Sequence, residues 1–173
     1  MSSPLAWGCS LKGLTIMALK VGEKAPDFTL PSFTPSPEIK QISLGDYKDK
    51  TVVLLFFPQA FTGVCTAEMC TMSETFDEYK GLGAEVIGIS VDGTFVQKAF
   101  AAQNKITFPL LSDYNREVIR KYDVVLPEFA HGMKETSRRA VFVIGKDGMI
   151  KYVEVTNSPG DQVNFDALKK ALA

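Results

Sequence analysis

The chain holds one histidine, one tryptophan and three cysteines among its 173 residues, and each scarcity narrows what it can be. Three cysteines, two of them close together as Cys65 and Cys70, do not make the framework of a small secreted disulfide domain. A reducing, cytoplasmic compartment is the expectation. Nor do Cys65 and Cys70 have the four ligands or the short C-x-x-C-type spacing of a structural zinc site, so no metal is expected. The single histidine, His131, stands in Glu128-Phe-Ala-His-Gly-Met-Lys134, which gives no base-like context for a Cys/His hydrolase. Charge of one sign is lacking too. Nineteen basic against twenty acidic residues leave a net charge of −1, and nothing there marks an electrostatic footprint for nucleic acid. No G-x-G-x-x-G stands in a strand–turn–helix setting and no Walker motif is present, so no nucleotide cofactor is expected. The chain has no internal repeat, linker or low-complexity tract.

At 46% apolar, the composition is that of a globular protein rather than a disordered one. The length suits one domain with a full core and is too short for two ordinary ones. Residues 1–16 read as a small-residue-rich leader or extension without order of its own, and 17–173 as the single domain. Met17 is a candidate original initiator. The leader has no apolar run long enough for a membrane span or a signal segment. Ala6-Trp-Gly-Cys9 has the outline of a lipoprotein cleavage site, but no hydrophobic segment precedes it, so neither export nor a membrane partner is expected.

The remaining chain alternates strand and helix patterns. Lys24 to Leu30 reads as extended, Pro31 to Pro37 as a turn, and Glu38 to Ser43 as an edge strand. Thr51-Val-Val-Leu-Leu-Phe-Phe57 has the continuous apolar character of a buried central strand. A helix follows from about Thr62 to Lys80, with Met69, Met72, Phe76 and Tyr79 spaced as one buried face. Gly83 to Val91 is a second buried strand, and a helix capped by Thr94 runs to about Asn104. Phe108 to Leu111 is a short strand, and Asn115 to Tyr122 a helix. Ala140 to Ile144 and Ile150 to Val155 form a hairpin across Gly145-Lys-Asp-Gly148, whose Asp-Gly is a turn signal. Asn164 to Leu172 closes the chain as a helix. The order predicts an α/β or α+β layered sheet.

Chemistry concentrates at the junction after the first buried strand, Pro58-Gln-Ala-Phe-Thr-Gly-Val-Cys-Thr-Ala-Glu-Met-Cys70. A cysteine at a strand-to-helix junction faces unpaired backbone N–H groups and the positive end of the helix dipole, which favour an anion. The thiolate is the reactive form of cysteine, so Cys65 is the candidate nucleophile.

Pro58, Thr62 and Cys65 fall in the P-x-x-x-T-x-x-C arrangement, and the chain resembles the peroxiredoxins, thiol peroxidases on a thioredoxin-like fold. Phe56-Phe57 before the motif, Glu68 three residues after the cysteine and Arg139-Ala-Val-Phe142 downstream strengthen the resemblance. It runs from about Val21 to the C-terminus, and Met17 to Phe28 resembles a peroxiredoxin start. Cys70 resembles the resolving cysteine of the Q-type branch, the bacterioferritin comigratory proteins, while Ala-Phe-Thr-Gly-Val also resembles the one-cysteine E-type branch. The resemblance implies an α/β thioredoxin-like fold, with a central mixed sheet flanked by helices, and reduction of hydrogen peroxide and organic hydroperoxides at Cys65. Thr62 would hold a peroxide oxygen, Pro58 would shield the thiolate, and Glu68 would orient Arg139 instead of only meeting the helix dipole. The spacing Arg-x-x-Phe selects Arg139 over Arg138, and strand alternation turns the two apart. A guanidinium keeps its charge at any working pH and offers donors in a fixed fork, which suits a departing hydroxide.

Turnover would leave a sulfenic acid on Cys65, open to condensation with a second thiol. A five-residue offset on an intact helix separates two Cα atoms by about 8 to 9 Å and puts them on different faces. A disulfide tolerates roughly 7 Å, so pairing Cys65 with Cys70 requires the first turns of the helix to unwind. A thioredoxin-like or glutaredoxin-like dithiol would then reduce the bond. The alternatives are a one-cysteine cycle resolved by an external thiol, and a non-enzymatic redox sensor. A thiol–disulfide oxidoreductase would normally carry C-x-x-C. Monomer and homodimer both stay open.

Overall fold

The computed structural model describes residues 19–173; the expected leader, with Trp7 and Cys9, lies outside them. In chain order the elements are β1 (Thr29–Ser32), β2 (Lys40–Ser43), β3 (Thr51–Phe56), α1 (Gly63–Glu74), α2 (Phe76–Gly81), β4 (Ala84–Ser90), α3 (Thr94–Asn104) and β5 (Leu110–Ser112). They continue as α4 (Glu117–Lys121), β6 (Val125–Glu128), β7 (Lys134–Ser137), β8 (Ala140–Ile144), β9 (Ile150–Val155) and α5 (Phe165–Leu172).

Five strands form the central sheet in the order β5-β4-β3-β8-β9. β3 runs parallel to β4 and β4 to β5, whereas β8 is antiparallel to both β3 and β9. The sheet is therefore mixed, as expected of a thioredoxin-like fold. β3 owes its central place to having no polar face. Val53, Leu55 and Phe57 pack toward α1, α2, α3 and α5, while Val52, Leu54 and Phe56 pack toward α4 and the N-terminal segment. Successive side chains alternate between faces, so a strand covered on both sides must be apolar throughout. Full burial of each such Leu or Phe contributes about 1.5–3 kcal/mol. Gly88 of β4 is required by the same density: a Cβ there would meet Leu110 Cδ2 at 2.6 Å.

Several boundaries differ from the sequence reading for identifiable reasons. The helix expected over 62–80 breaks at Thr75, where the Thr75 hydroxyl donates to the Thr71 carbonyl at 2.9 Å; such back-bonding bends helices. Thr94 is not a cap. It is the first residue of α3, and Gly93 holds the cap position without a side chain. The helix expected from Asn115 begins at Glu117 because Arg116 is left-handed, at φ +61°. The Asp113 carboxylate accepts from the N–H groups of Glu117 and Ile119 at 2.9 and 2.8 Å, serving as its cap. β2 pairs with β1 in a separate two-stranded sheet. Ser32 and Thr34 then bond the Leu110 carbonyl and N–H at 2.7 and 2.6 Å, covering the edge of β5. The hairpin of β6 and β7 was not anticipated. The hairpin β8–β9 matches its sequence signal, and α5 falls within one residue of the helix expected over 164–172, with the Asn164 side chain accepting from the Ala167 N–H as its cap.

Candidate active site

β3 and β4 are in parallel register up to Phe56 opposite Ile89, and Phe57 N–H extends the ladder to the Ile89 carbonyl at 3.1 Å. The next residue, Pro58, has no N–H to continue it. The chain leaves the sheet there, turns through Phe61 at φ +64°, and enters α1 at Gly63. Cys65 is the third residue of α1 and fully buried, among the first-turn N–H groups that have no intrahelical acceptor.

Arg139 reaches it from the residue just before β8. Its Nη2 donates to Cys65 Sγ at 3.3 Å and to the Pro159 carbonyl at 2.9 Å. Its Nη1 pairs with Glu68 Oε2 at 2.5 Å, both side chains no more than 1% exposed. Glu68 sits three residues after Cys65, so the two share a side of α1. It lies in the second turn, since the first carries no acidic residue. Its other oxygen accepts from the Val163 N–H at 3.4 Å. Burial pushes the Glu68 carboxyl above the usual carboxylate range, and the Arg139 charge and hydrogen bond offset this only in part. Burial works against the Arg139 charge as well, but Glu68 and Cys65 outweigh it and hold the guanidinium protonated more firmly than usual. Arg139 Nε is buried without a partner among the described residues.

The other expected residues are placed as follows. Pro58 is buried beside the site. Thr62 stands at the N-cap position of α1, but its hydroxyl does not cap; it donates to the Gln59 carbonyl at 2.9 Å, closing the turn and leaving its lone pairs as acceptors. Arg138 points elsewhere, its Nη2 donating to the Thr156 carbonyl. Cys70 is half-buried on the same unbroken α1 as Cys65, about 140° around the helix at 100° per residue. His131 is exposed in the β6–β7 connection.

Three contributors had no sequence signal: the Pro159 carbonyl and the Val163 N–H, both from the segment between β9 and α5, and Asp92, whose carboxylate accepts from the Ala60 N–H at 2.8 Å. Only the place of Asp92, just after a buried strand, could have drawn attention to it. A cleft of about 390 Å³ beside Tyr47 and Ile144 lies at the opposite ends of β3 and β8 from Cys65. Among the described residues no cluster of three or more His, Cys, Asp or Glu side chains is placed to hold a metal. No described helix is long and apolar enough to cross a membrane.

The arrangement is a buried thiol with one fixed cation, itself held by a carboxylate and a carbonyl, beneath a strained turn that offers a hydroxyl. The AhpC/TSA family model matches residues 21–153. A 2-cysteine peroxiredoxin, chloroplastic, of Chattonella marina var. antiqua is 36% identical over 149 residues, 82% of this chain and 73% of that protein. A relative in Entamoeba histolytica is 33% identical over 83% of this chain, which spans 62% of that protein's length. Among solved structures, the peroxidoxin BcpB of Mycobacterium tuberculosis superposes with a TM-score of 0.73 at 29% identity, covering 89% of this chain and 94% of its own.

Proposed function

This chain belongs to the AhpC/TSA family, the peroxiredoxins, whose members are thiol peroxidases, and from that premise we propose that Cys65 is its peroxide-reducing nucleophile. The observation that carries the reading is the Arg139 Nη2–Cys65 Sγ contact at 3.3 Å, with Arg139 itself ion-paired to buried Glu68. A guanidinium against sulfur favours the thiolate. It also stands where negative charge develops as an O–O bond breaks.

In the proposed step the Cys65 thiolate attacks one oxygen of hydrogen peroxide or an organic hydroperoxide. The S–O bond forms as the O–O bond breaks, and hydroxide or alkoxide leaves and takes up a proton. Sulfur is oxidised to the sulfenic acid and the peroxide reduced to water or alcohol. Thr62 accepts from the peroxide O–H, because its own proton is committed to the Gln59 carbonyl. Pro58 keeps water off the thiolate. Glu68 fixes the plane of the guanidinium. The Cys70 thiol then condenses with the sulfenic acid, releasing water and forming a Cys65–Cys70 disulfide once the start of α1 unwinds. A thioredoxin-like or glutaredoxin-like dithiol reduces it, in a cycle suited to the cytoplasm. The continuity of α1 through both cysteines favours a second reading, in which an external thiol resolves Cys65.

Intact mass and disulfide mapping after one equivalent of hydrogen peroxide, on the wild type and Cys70→Ser, test both. A Cys65–Cys70 bond in the wild type, replaced by oxygenated Cys65 in the variant, is the expected result. Oxygenated Cys65 in both proteins would establish the one-cysteine cycle. Unmodified Cys65 in both would remove the peroxidase assignment.

A further inference from the structure

The turn that carries the candidate site is tied to a polar network that the chemistry above does not use. After Phe57 the β3–β4 ladder ends, because Pro58 has no N–H and the chain turns away. The next tie recorded between the turn and β4 is a side chain. Asp92 lies two residues beyond β4, and its Oδ2 accepts from the Ala60 N–H at 2.8 Å and from the Ser90 hydroxyl at 2.7 Å. The network is fixed from behind. Gln97 of α3, fully buried, donates from Nε2 to Ser90 Oγ at 3.0 Å and to the Leu111 carbonyl at 2.8 Å. The Ser112 hydroxyl donates to the Asp92 carbonyl at 2.6 Å, and Asp113 N–H to the Ser90 carbonyl at 2.8 Å. β4, β5 and α3 therefore converge on one carboxylate that holds one amide of the turn.

That amide matters because its neighbour is strained. Phe61, next to Ala60, is a non-glycine residue at φ +64°, a conformation that persists only where the surroundings over-determine it. Its ring is fixed edge-on against Phe100 at 5.2 Å, although the side chain stays 48% exposed. Thr62 follows directly, and Cys65 three residues later.

We propose that Asp92 is a positioning residue for peroxide reduction, holding the turn 58–62 by the Ala60 N–H so that Thr62 and Cys65 address the peroxide together. The proposal rests on the peroxidase reading of Cys65. The carboxylate replaces the missing rung of the sheet, and its loss frees the turn without touching the Arg139–Glu68–Cys65 contacts.

The test compares Asp92→Ala and Asp92→Asn with the wild type, all reduced. Three quantities are read: the rate of Cys65 oxidation by hydrogen peroxide, its alkylation by iodoacetamide across pH, and amide exchange over residues 58–62. Misplacement of a positioned group by about 1 Å lowers a rate by up to ~100-fold, so Asp92→Ala is expected to react with peroxide at least about tenfold more slowly. Alkylation, which needs the buried thiolate and a way past the turn but no alignment with Thr62, does not slow and keeps its pH profile. Exchange over 58–62 quickens. Asp92→Asn retains an acceptor for the Ala60 N–H and restores both readouts. Unchanged exchange in Asp92→Ala overturns the tether, and equal losses in peroxide and alkylation rates overturn the positioning role. A wild type that alkylates at Cys65 yet resists peroxide would fail the peroxidase reading instead, and the exchange measurement would still decide the tether.

Discussion

Arg139 and Glu68 can each be removed, and the two removals are not equivalent. Both side chains are buried to 1% exposure or less, and they are paired at 2.5 Å. Replacing Glu68 by Met leaves a guanidinium that cannot lose its proton at any accessible pH. Its remaining contacts are the Pro159 carbonyl and the sulfur. Breaking a buried pair in this way costs about 3–5 kcal/mol. Replacing Arg139 by Met leaves a carboxylate, which can escape by protonation. The Glu68 carboxyl already lies above the usual range through burial, held back only by Arg139 and the Val163 N–H. Without Arg139 it rises further. An acid whose folded pKa exceeds its unfolded one contributes stability that is complete below the unfolded value and lost as pH climbs through the folded value. The Arg139→Met penalty must therefore grow with pH, by up to about 1.4 kcal/mol for each unit between the carboxyl's folded pKa in the parent and its higher one in the variant. Replacing both residues by Met exchanges the pair for apolar volume and is expected to be within about 2 kcal/mol of the parent.

Urea unfolding at pH 5 and pH 8, in a Cys65→Ser background so that thiol titration does not contribute, reads all four proteins. The expected outcome is a coupling energy of at least about 2 kcal/mol. The Arg139→Met deficit should be smaller at pH 5 than at pH 8, and the Glu68→Met deficit should move the other way, because the parent's own raised carboxyl, which loses stability as pH rises, is gone from that variant. A coupling energy under about 0.5 kcal/mol, or an Arg139→Met deficit equal at the two pH values, would refute the reasoning.

Three further expectations concern the scaffold, each read by chemical denaturation with unchanged m-value. Phe142→Ala removes a fully buried ring lying 5.7 Å from Phe56 and 5.2 Å from Tyr122 and should cost about 3–5 kcal/mol; a loss under 1 kcal/mol would mean that the core closes over the cavity. Gly88→Ala drives a methyl against Leu110 Cδ2 and should destabilise by about 1–3 kcal/mol; a stabilised variant would show that Leu110 moves aside freely. Asn164→Ala removes the acceptor of the Ala167 N–H at 2.9 Å and should cost about 1 kcal/mol, with exchange quickening first in α5.

What could be read in advance was whatever local chemistry dictates. The apolar run of β3, the Asp-Gly turn between β8 and β9 and the helical pattern of α5 carry their own signals, and they stand within a residue or two of their expected bounds. The break at Thr75 was not readable, because an amphipathic stripe runs through it and only a back-bonded hydroxyl interrupts the helix. The hairpin of β6 and β7 was hidden because Pro127 interrupts its first strand and Glu135 in its second is left-handed, at φ +54°. At the site, periodicity alone would have put Glu68 on a surface turn. Its burial depends on Arg139, 71 residues away, and on a backbone N–H from the approach to α5. Arg139 was chosen by family spacing, not by composition. Asp92 escaped because its partner is a main-chain group, which no side-chain motif can announce.

Glu68 lies between Cys65 and Cys70 on one helix while gripping Arg139 on one side and Val163 on the other. The proposed nucleophile, its counter-charge and the proposed second thiol are thus mechanically a single part. Any excursion of the early turns of α1 that carries Cys65 toward Cys70 also pulls the carboxylate off the guanidinium and lets go of the chain leading into α5. Oxidation would then disarm the peroxide pocket in the same motion that protects the sulfur from a second peroxide. It would be legible from outside as a loosened approach to α5, with proteolytic sensitivity near residues 157–163 reporting the redox history of a buried thiol.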